Sequence, residues 1–464
     1  MSSNSERGHY SSLSEALDGA PLNRRYWMVS STVIATFTVE VFDFVLIGFI
    51  LAAVSGKWHL TFGVGAILLL SASIGGVLGS IFSGQICGRI GRRLPLIAGL
   101  AALSVLTGAV ALVREGDWVM IAALRFGAGF AIGVAGTAAG PLFIEATPLR
   151  QRTFLTGAMT APITVGALVV PILFGVLAPT IGWRGITAIG GVLTAFIAVL
   201  AWRIVPESAR WLLAKGEIDA ARASVAYMLK VEEDSLPLVS GVEVGWTPPS
   251  YRAMLRHQRA CWLVVLSWAG GATAYWAIAQ WTPTLLPMML HVDPATGARM
   301  FIAVVLAGCL GRVLMAALTA RIGRIRSGQL MGVGIIVFLV SEALATTQTV
   351  GGISLFYILL VVGAIFVEGG FANLYPLAAE AFPVNLASHG MALYQIGHAT
   401  GKLLGPLVIA IVAGGSNYIT PKATVDAVRP AFLILSLSGV VVLAAFMFLK
   451  PVAHRVKRQI KATI

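Results

Sequence analysis

Twelve apolar stretches of about twenty residues each decide what this chain can fold into. They run 27–54, 62–84, 94–113, 118–141, 154–178, 184–205, 260–288, 299–320, 328–347, 353–378, 388–413 and 430–449. Each is long enough to cross the hydrocarbon of a bilayer. A chain crossing lipid must satisfy its backbone groups within itself, so such stretches form helices. A membrane β-barrel would instead show short alternating segments, and none recur here. With only 11% charged residues among 464, a water-soluble fold would have too little polar surface to cover its core.

Between the sixth and seventh stretches lies a polar insert, Pro206–Arg259, holding seven of the chain's 20 acids. It divides the chain into a polar tail (1–26), a six-helix bundle (27–205), a linker (206–259), a second six-helix bundle (260–449) and a basic tail (450–464). Within the linker, Ser208–Lys215 and Ile218–Lys230 carry short helical patterns. The fold class expected is an all-α integral membrane protein of twelve transmembrane helices in two pseudo-symmetric bundles.

The formal charge of +13 does not indicate nucleic acid, because the position of the charges explains it. With the N-terminus inside, and residues at span ends counted with the adjoining loop, 24 of the 33 Lys and Arg fall on the cytosolic side, six on the outer side and three deep within spans. This is the positive-inside pattern. It places both termini and the linker in the cytosol and the protein in the plasma membrane, the inner membrane if the source is bacterial. Three cysteines, Cys87, Cys261 and Cys309, make no disulfide framework. The N-terminal residues lack the apolar core of a signal peptide.

The two halves repeat each other. Pro141-Leu-Phe-Ile-Glu-Ala-Thr-Pro148 matches Pro376-Leu-Ala-Ala-Glu-Ala-Phe-Pro383 at an offset of 235, as do Gly166 with Gly401 and Pro171 with Pro406. Arg89-Ile-Gly91-Arg92 matches Arg321-Ile-Gly323-Arg324 at 232. Parallel repeats of six helices are a transporter architecture, with the binding site at mid-membrane between the halves.

These residues also carry a resemblance that spans essentially the whole chain, to the major facilitator superfamily. Gly84-Gln-Ile-Cys-Gly-Arg89-Ile-Gly91-Arg92-Arg93 resembles that superfamily's loop between its second and third helices, and Arg125-x3-Gly129-x3-Gly133 its fourth-helix signature. Glu145-x2-Pro148 with Arg150 and Arg152, and Pro206-Glu-Ser-Ala-Arg-Trp-Leu212, are similar to the sugar, organic-ion and aromatic-acid branches. Trp281-Thr-Pro283 is similar to the aromatic acid:proton symporters. The signature's usual acid is replaced by Gly88, and by Ala320 in the second copy, so a relay through that carboxylate cannot run in its usual form.

Ionisable groups inside the hydrocarbon are expensive and mark function by default. Asp43 lies 16 residues past Trp27, roughly 24 Å along its helix, and Arg125 lies seven residues into the fourth span, roughly 10 Å from the other face. The two meet at similar depth, and a carboxylate whose Arg partner comes and goes has a conformation-dependent proton affinity. The resemblance to proton-coupled sugar porters, which pair these positions, implies the same. Asp43, Arg125 and Glu40 are therefore the expected proton-coupling residues; Glu40, three residues before Asp43, shares the proton or serves helix packing.

The second half holds two deep cations, Arg312 and Lys402, with Glu368 placed to neutralise one. The unmatched positive charge is expected to meet a substrate carboxylate, and Lys402 also resembles the basic site on the eleventh helix of organic-anion carriers. Alternatively Lys402 pairs with Glu368 and Arg312 reaches for the cytosol. Tyr275, Trp276 and Gln280 are expected to wall the cavity for a flat ligand, with Glu368, Asn373 and Tyr394 as further substrate-binding candidates. Trp262 and Trp281 read as interface-belt residues. His398, four residues from Lys402, shares its helix face. Arg89, Arg92 and Glu145 in one half, and Arg321 and Glu380 in the other, are expected to form a cytosolic gate.

The function expected is alternating-access transport of a small organic anion, an aromatic or other carboxylate, in symport with protons. The rival readings are anion exchange, sugar or organic-cation transport, and a membrane receptor that keeps the fold but does not transport. No phosphate-binding GxxxxGK[ST] loop is present, and no metal or nucleophile constellation points to an enzyme. The expected partners are the bilayer, the anion and the proton, with no cofactor, no nucleic acid and a monomeric state.

Overall fold

The computed structural model describes residues 12–148, 150, 151, 155, 161–237, 258–380 and 387–449. Eleven of its helices are long and apolar enough to cross a membrane. One of them, Ala161–Ile204, contains two, because Gly182 breaks it with φ 66° and ψ 179°. A positive φ is accessible to glycine at little cost. This gives α1 (Arg24–Val54), α2 (Phe62–Ile90), α3 (Arg93–Val110), α4 (Trp118–Ala146), α5 (161–181), α6 (183–204), α7 (Gln258–Leu290), α8 (Pro294–Ile322) and α9 (Arg324–Leu344). The set is completed by α10 (Leu355–Gly369, continued as Phe371–Glu380), α11 (Ala387–Ala413) and α12 (Pro421–Phe448).

Several helices begin earlier than hydropathy alone predicts, since their caps lie in polar sequence. Asp293 accepts from the N–H groups of Ala295 and Thr296 ahead of Pro294, so α8 starts five residues before the expected 299. Thr420 caps α12 ahead of Pro421, nine residues before the expected 430. A capping side chain followed by Pro in the first turn satisfies groups the helix leaves orphaned.

The repeat read from the sequence is visible in the packing. Gly79 of α2 lies against the carbonyl of Phe130 in α4, and Gly311 of α8 against the carbonyl of Ile365 in α10. Gly79 and Gly311 are 232 apart, and Phe130 and Ile365 are 235 apart. Gly166 presses α5 onto Thr38 of α1, and its counterpart Gly401 presses α11 onto Ala272 of α7. A Cβ at any of these four would overlap a neighbouring backbone or side chain. Small residues thus set the close helix approaches in both halves, as membrane packing favours.

One end of the molecule carries the Arg89–Arg93 turn and the linker helices; we call it the basic end. There the linker forms Ala209–Lys215 and Ile218–Leu229, and a short helix, Leu13–Asp18, docks on them through Asp18–Arg210 at 2.7 Å. At the far end the halves are tied by main chain. Phe62 N–H donates to Asn417 O (2.9 Å), Gly63 N–H to Gly415 O (3.0 Å) and Ile419 N–H to Leu60 O (2.9 Å). Thr61 and Tyr418 form a β-bridge at the centre of this strap. Below it, Thr284 donates to Gly48 O and Arg299 to Gly175 O, again across the halves. Among the described residues, the hydrogen bonds and ring contacts joining the halves begin at the level of Glu40 and Phe44 and continue to the far end.

Candidate functional site

Three ion pairs organise the centre, one fully buried and two half-buried. The sequence anticipates Asp43 with Arg125 and a role for Glu368 in neutralising one deep cation; it does not anticipate the third pair. Asp43 and Arg125 meet at 2.6 Å, with side chains 2% and 1% exposed. Arg125 also donates to the Asp43 backbone carbonyl, and Thr107 of α3 donates to Asp43 Oδ1 at 2.7 Å. The pair is therefore walled in by α1, α3 and α4 inside the first half. It does not face the seam between the halves.

The second pair is Arg312 and Glu368, 3.0 Å apart between α8 and α10. Gly308 leaves room for the Glu368 side chain, which lies where a Cβ would fall. Glu368 and Tyr275 line a cavity with Val45, Ala167 and Phe301, so residues of both halves contribute to it.

The third pair crosses the halves: Lys402 Nζ of α11 lies 3.3 Å from Glu40 Oε1 of α1. The expectation of two cations short of an acid is thus corrected. Glu368 answers Arg312, and Glu40 answers Lys402. The physical reason is helical pitch: three residues turn a side chain roughly 60° from its neighbour. Glu40 therefore looks across the seam while Asp43 looks into its own half.

Lys402 is enclosed by rings. Its ammonium lies 4.1 Å from the centroid of Phe44 and 4.9 Å from that of Trp276. Trp276 donates its indole N–H to His398 Nε2 at 3.0 Å, which leaves Nδ1 to carry the proton of a neutral imidazole. Toward the basic end the aromatic lining continues. Trp268 lies 4.7 Å from Tyr394 and 5.3 Å from Phe371, centroid to centroid, and Tyr375 lies 5.2 Å from Tyr394. Tyr394, His398 and Lys402 follow at four-residue intervals, one face of α11.

Other predicted residues fall elsewhere. Gln280 is fully buried where its own carbonyl meets Gly48, and neither amide atom has a hydrogen-bond partner among the described residues. Asn373 donates to Arg324 O at 2.8 Å and so braces the turn between α8 and α9; it is not part of the aromatic lining. Trp281 is 0% exposed and donates to Pro406 O, which corrects its reading as a belt residue; Trp262, at 67%, is exposed. The sequence reading passed over Glu342, a buried acid of α9 against Gly363. Its signal was present as an acid inside an apolar run.

At the basic end Arg92 pairs with Glu145 at 2.6 Å, and Ser208 donates to the same carboxylate. Glu207 accepts the backbone N–H groups of Arg92, Arg93 and Ser208. A carboxylate at the start of α3 suits the positive end of the helix dipole. Where the resemblance puts an acid, Gly88 offers its carbonyl to the Trp211 indole at 3.3 Å. Arg89 and Arg321 lie exposed at their helix ends. Arg152, the side chain of Glu380 and that of His389 lie outside the described residues, so the second-half gate is not seen.

Two six-helix bundles related by an internal repeat, closed on each other at one end and holding charges at their seam, define the class of multi-pass membrane carriers. Residues 32–350 match the model of the Major Facilitator Superfamily, and the chain belongs to that family, a family of transporters and not of enzymes. It is 26% identical over 421 residues to the 4-hydroxybenzoate transporter PcaK of Acinetobacter baylyi, covering 86% of this chain and 88% of that one. It is 24% identical over 401 residues to the niacin transporter NiaP of the same organism, covering 85% and 88%. The fold matches the partially occluded inward-open xylose transporter XylE of E. coli with a TM-score of 0.66 at 15% identity, over 92% of this chain and 99% of that one.

Proposed function

We propose that the protein carries a small aromatic carboxylate across the plasma membrane by alternating access, together with a proton, and works as a monomer with both termini in the cytosol. The observation that carries this reading is Lys402: one ammonium, at the seam of the halves, held between the faces of Phe44 and Trp276. A cation buried among aromatic rings suits a ligand with a carboxylate at one edge and a flat apolar body behind it. The names of the relatives, transporters of 4-hydroxybenzoate and niacin, support the same ligand class, since both molecules fit that description.

The positive-inside distribution of Lys and Arg supports the basic end as the cytosolic one. On that orientation the far-end strap closes the outer side, and the arrangement corresponds to a carrier sealed against the outside. Uptake into proteoliposomes tests the reading. With the lumen alkaline, 4-hydroxybenzoate or nicotinate is expected to accumulate and xylose is not. Accumulation of xylose and of neither carboxylate would overturn it.

A further inference from the structure

Of the three ion pairs, one crosses the seam between the halves. Glu40 and Lys402 sit on opposite halves, with side chains 20% and 14% exposed, whereas Asp43 and Arg125 are 2% and 1% exposed and braced by Thr107. Water, and so a proton, reaches the first pair; the second is sealed. The Lys402 ammonium has three donors, and Glu40 accepts one of them at 3.3 Å. Phe44 and Trp276 present ring faces to it.

Resting on the proposed function, we infer that Glu40 is the coupling carboxylate and that it shares Lys402 with the substrate. A substrate carboxylate that binds Lys402 displaces Glu40. A half-buried carboxylate that loses its cation favours the protonated form, so Glu40 takes one proton from the water that reaches it. The charges then balance. The empty site holds Lys402 positive and Glu40 negative. The loaded site holds Lys402 positive, the substrate negative and Glu40 neutral. Neither form carries net charge, so either can reorient without dragging charge through the hydrocarbon. One proton travels with each monoanion, and the pair moves electroneutrally.

The surroundings of Glu40 are consistent with this exchange. From α4 it is faced by Gly136, which brings no charge and leaves the carboxylate room. From α11 it is faced by Lys402 and, electrostatically, by Tyr394, with His398 one turn away engaged by Trp276. The nearest charged groups on its own helix and on α4 are Asp43 and Arg125, which neutralise each other. No second cation among the described residues hydrogen-bonds Glu40, so releasing Lys402 leaves it without a countercharge.

The test uses the full-length protein with 4-hydroxybenzoate as probe. In the wild type, binding in weakly buffered solution at pH 7.5 is expected to take up about one proton per ligand bound. An inward gradient of one pH unit is expected to give about tenfold accumulation, unchanged when a potassium diffusion potential is imposed. Glu40→Gln is expected to bind the probe and exchange it, but with no proton uptake and an accumulation ratio near one; Glu40→Asp restores part of the gradient response. Ligand binding with no proton uptake in the wild type, or full accumulation by Glu40→Gln, would overturn the inference while leaving carboxylate transport intact. Failure of the wild type to bind any aromatic carboxylate instead removes the proposed function beneath it, so the two failures are distinguishable.

Discussion

Asp43 and Arg125 form the most deeply buried contact between opposite charges among the described residues: 2.6 Å apart, with both side chains almost wholly excluded from solvent. Thr107 donates to Asp43, and Arg125 donates to the Asp43 carbonyl. Such a pair is a poor guide to net stability when whole, but removing one partner strands the other charge.

The expected result is asymmetric. Asp43→Asn or Arg125→Ala alone should lower stability by about 3–5 kcal/mol, seen as a large drop in the thermal transition in detergent. Asp43→Leu with Arg125→Met should recover much of that loss. Equal damage from the single and double variants would show that these side chains do more than neutralise each other.

Lys402→Ala removes the cation at the seam. Loss of one partner of a desolvated charge pair costs about 2–5 kcal/mol, so the affinity for 4-hydroxybenzoate should fall by at least about thirtyfold, with Lys402→Arg intermediate. Scintillation proximity binding to purified protein measures this directly. Unchanged affinity in Lys402→Ala would place the carboxylate elsewhere, with Arg312 the next cation to try.

Trp276 both faces Lys402 and donates to His398. Trp276→Leu should weaken binding of aromatic carboxylates by roughly two- to tenfold, the range of an aromatic contact worth about 0.5–1.5 kcal/mol. Short aliphatic carboxylates should be affected less. Competition assays with benzoate against propionate separate the two. His398→Asn, which keeps an acceptor for the indole within reach, should be milder than His398→Leu.

The far-end strap has to part if the carrier is to face the other side. Cysteines in place of Thr61 and Tyr418, which are paired in the β-bridge, should form a disulfide on mild oxidation. That bond should stop transport, and reduction should restore it. Transport at full rate with the bond quantitatively formed would mean that the halves reorient without separating there. Replacement of Gly63, whose Cβ would meet the Gly415 carbonyl, should loosen the same closure.

Much of the architecture was legible from residue order. Apolar run lengths place twelve helices, and paired motifs at offsets of 232 and 235 anticipate the equivalence of Gly79 with Gly311 and Gly166 with Gly401. Which charges meet across the halves was not. Lys402 and Glu40 are 362 residues apart, and neither composition nor spacing says how two bundles abut. Depth along a helix follows from counting residues. The direction a side chain faces does not, and that separates Glu40 from Asp43. Trp281 illustrates the same limit. A tryptophan near the end of an apolar run suits a lipid interface, yet here α2 and α11 cover it, with Phe62 at 5.7 Å and the Pro406 carbonyl on its indole N–H. Thr107 and Phe44 carry no signal in the sequence, since a hydroxyl or a phenyl ring in an apolar span is ordinary.

The closure between residues 60–63 and 415–419 is written almost wholly in peptide groups. Its chemistry is therefore indifferent to which side chains decorate the two loops, glycine at the tightest contact excepted. Their outward faces can be re-lettered to suit another medium or to shed a blocking antibody while the door itself keeps its fit.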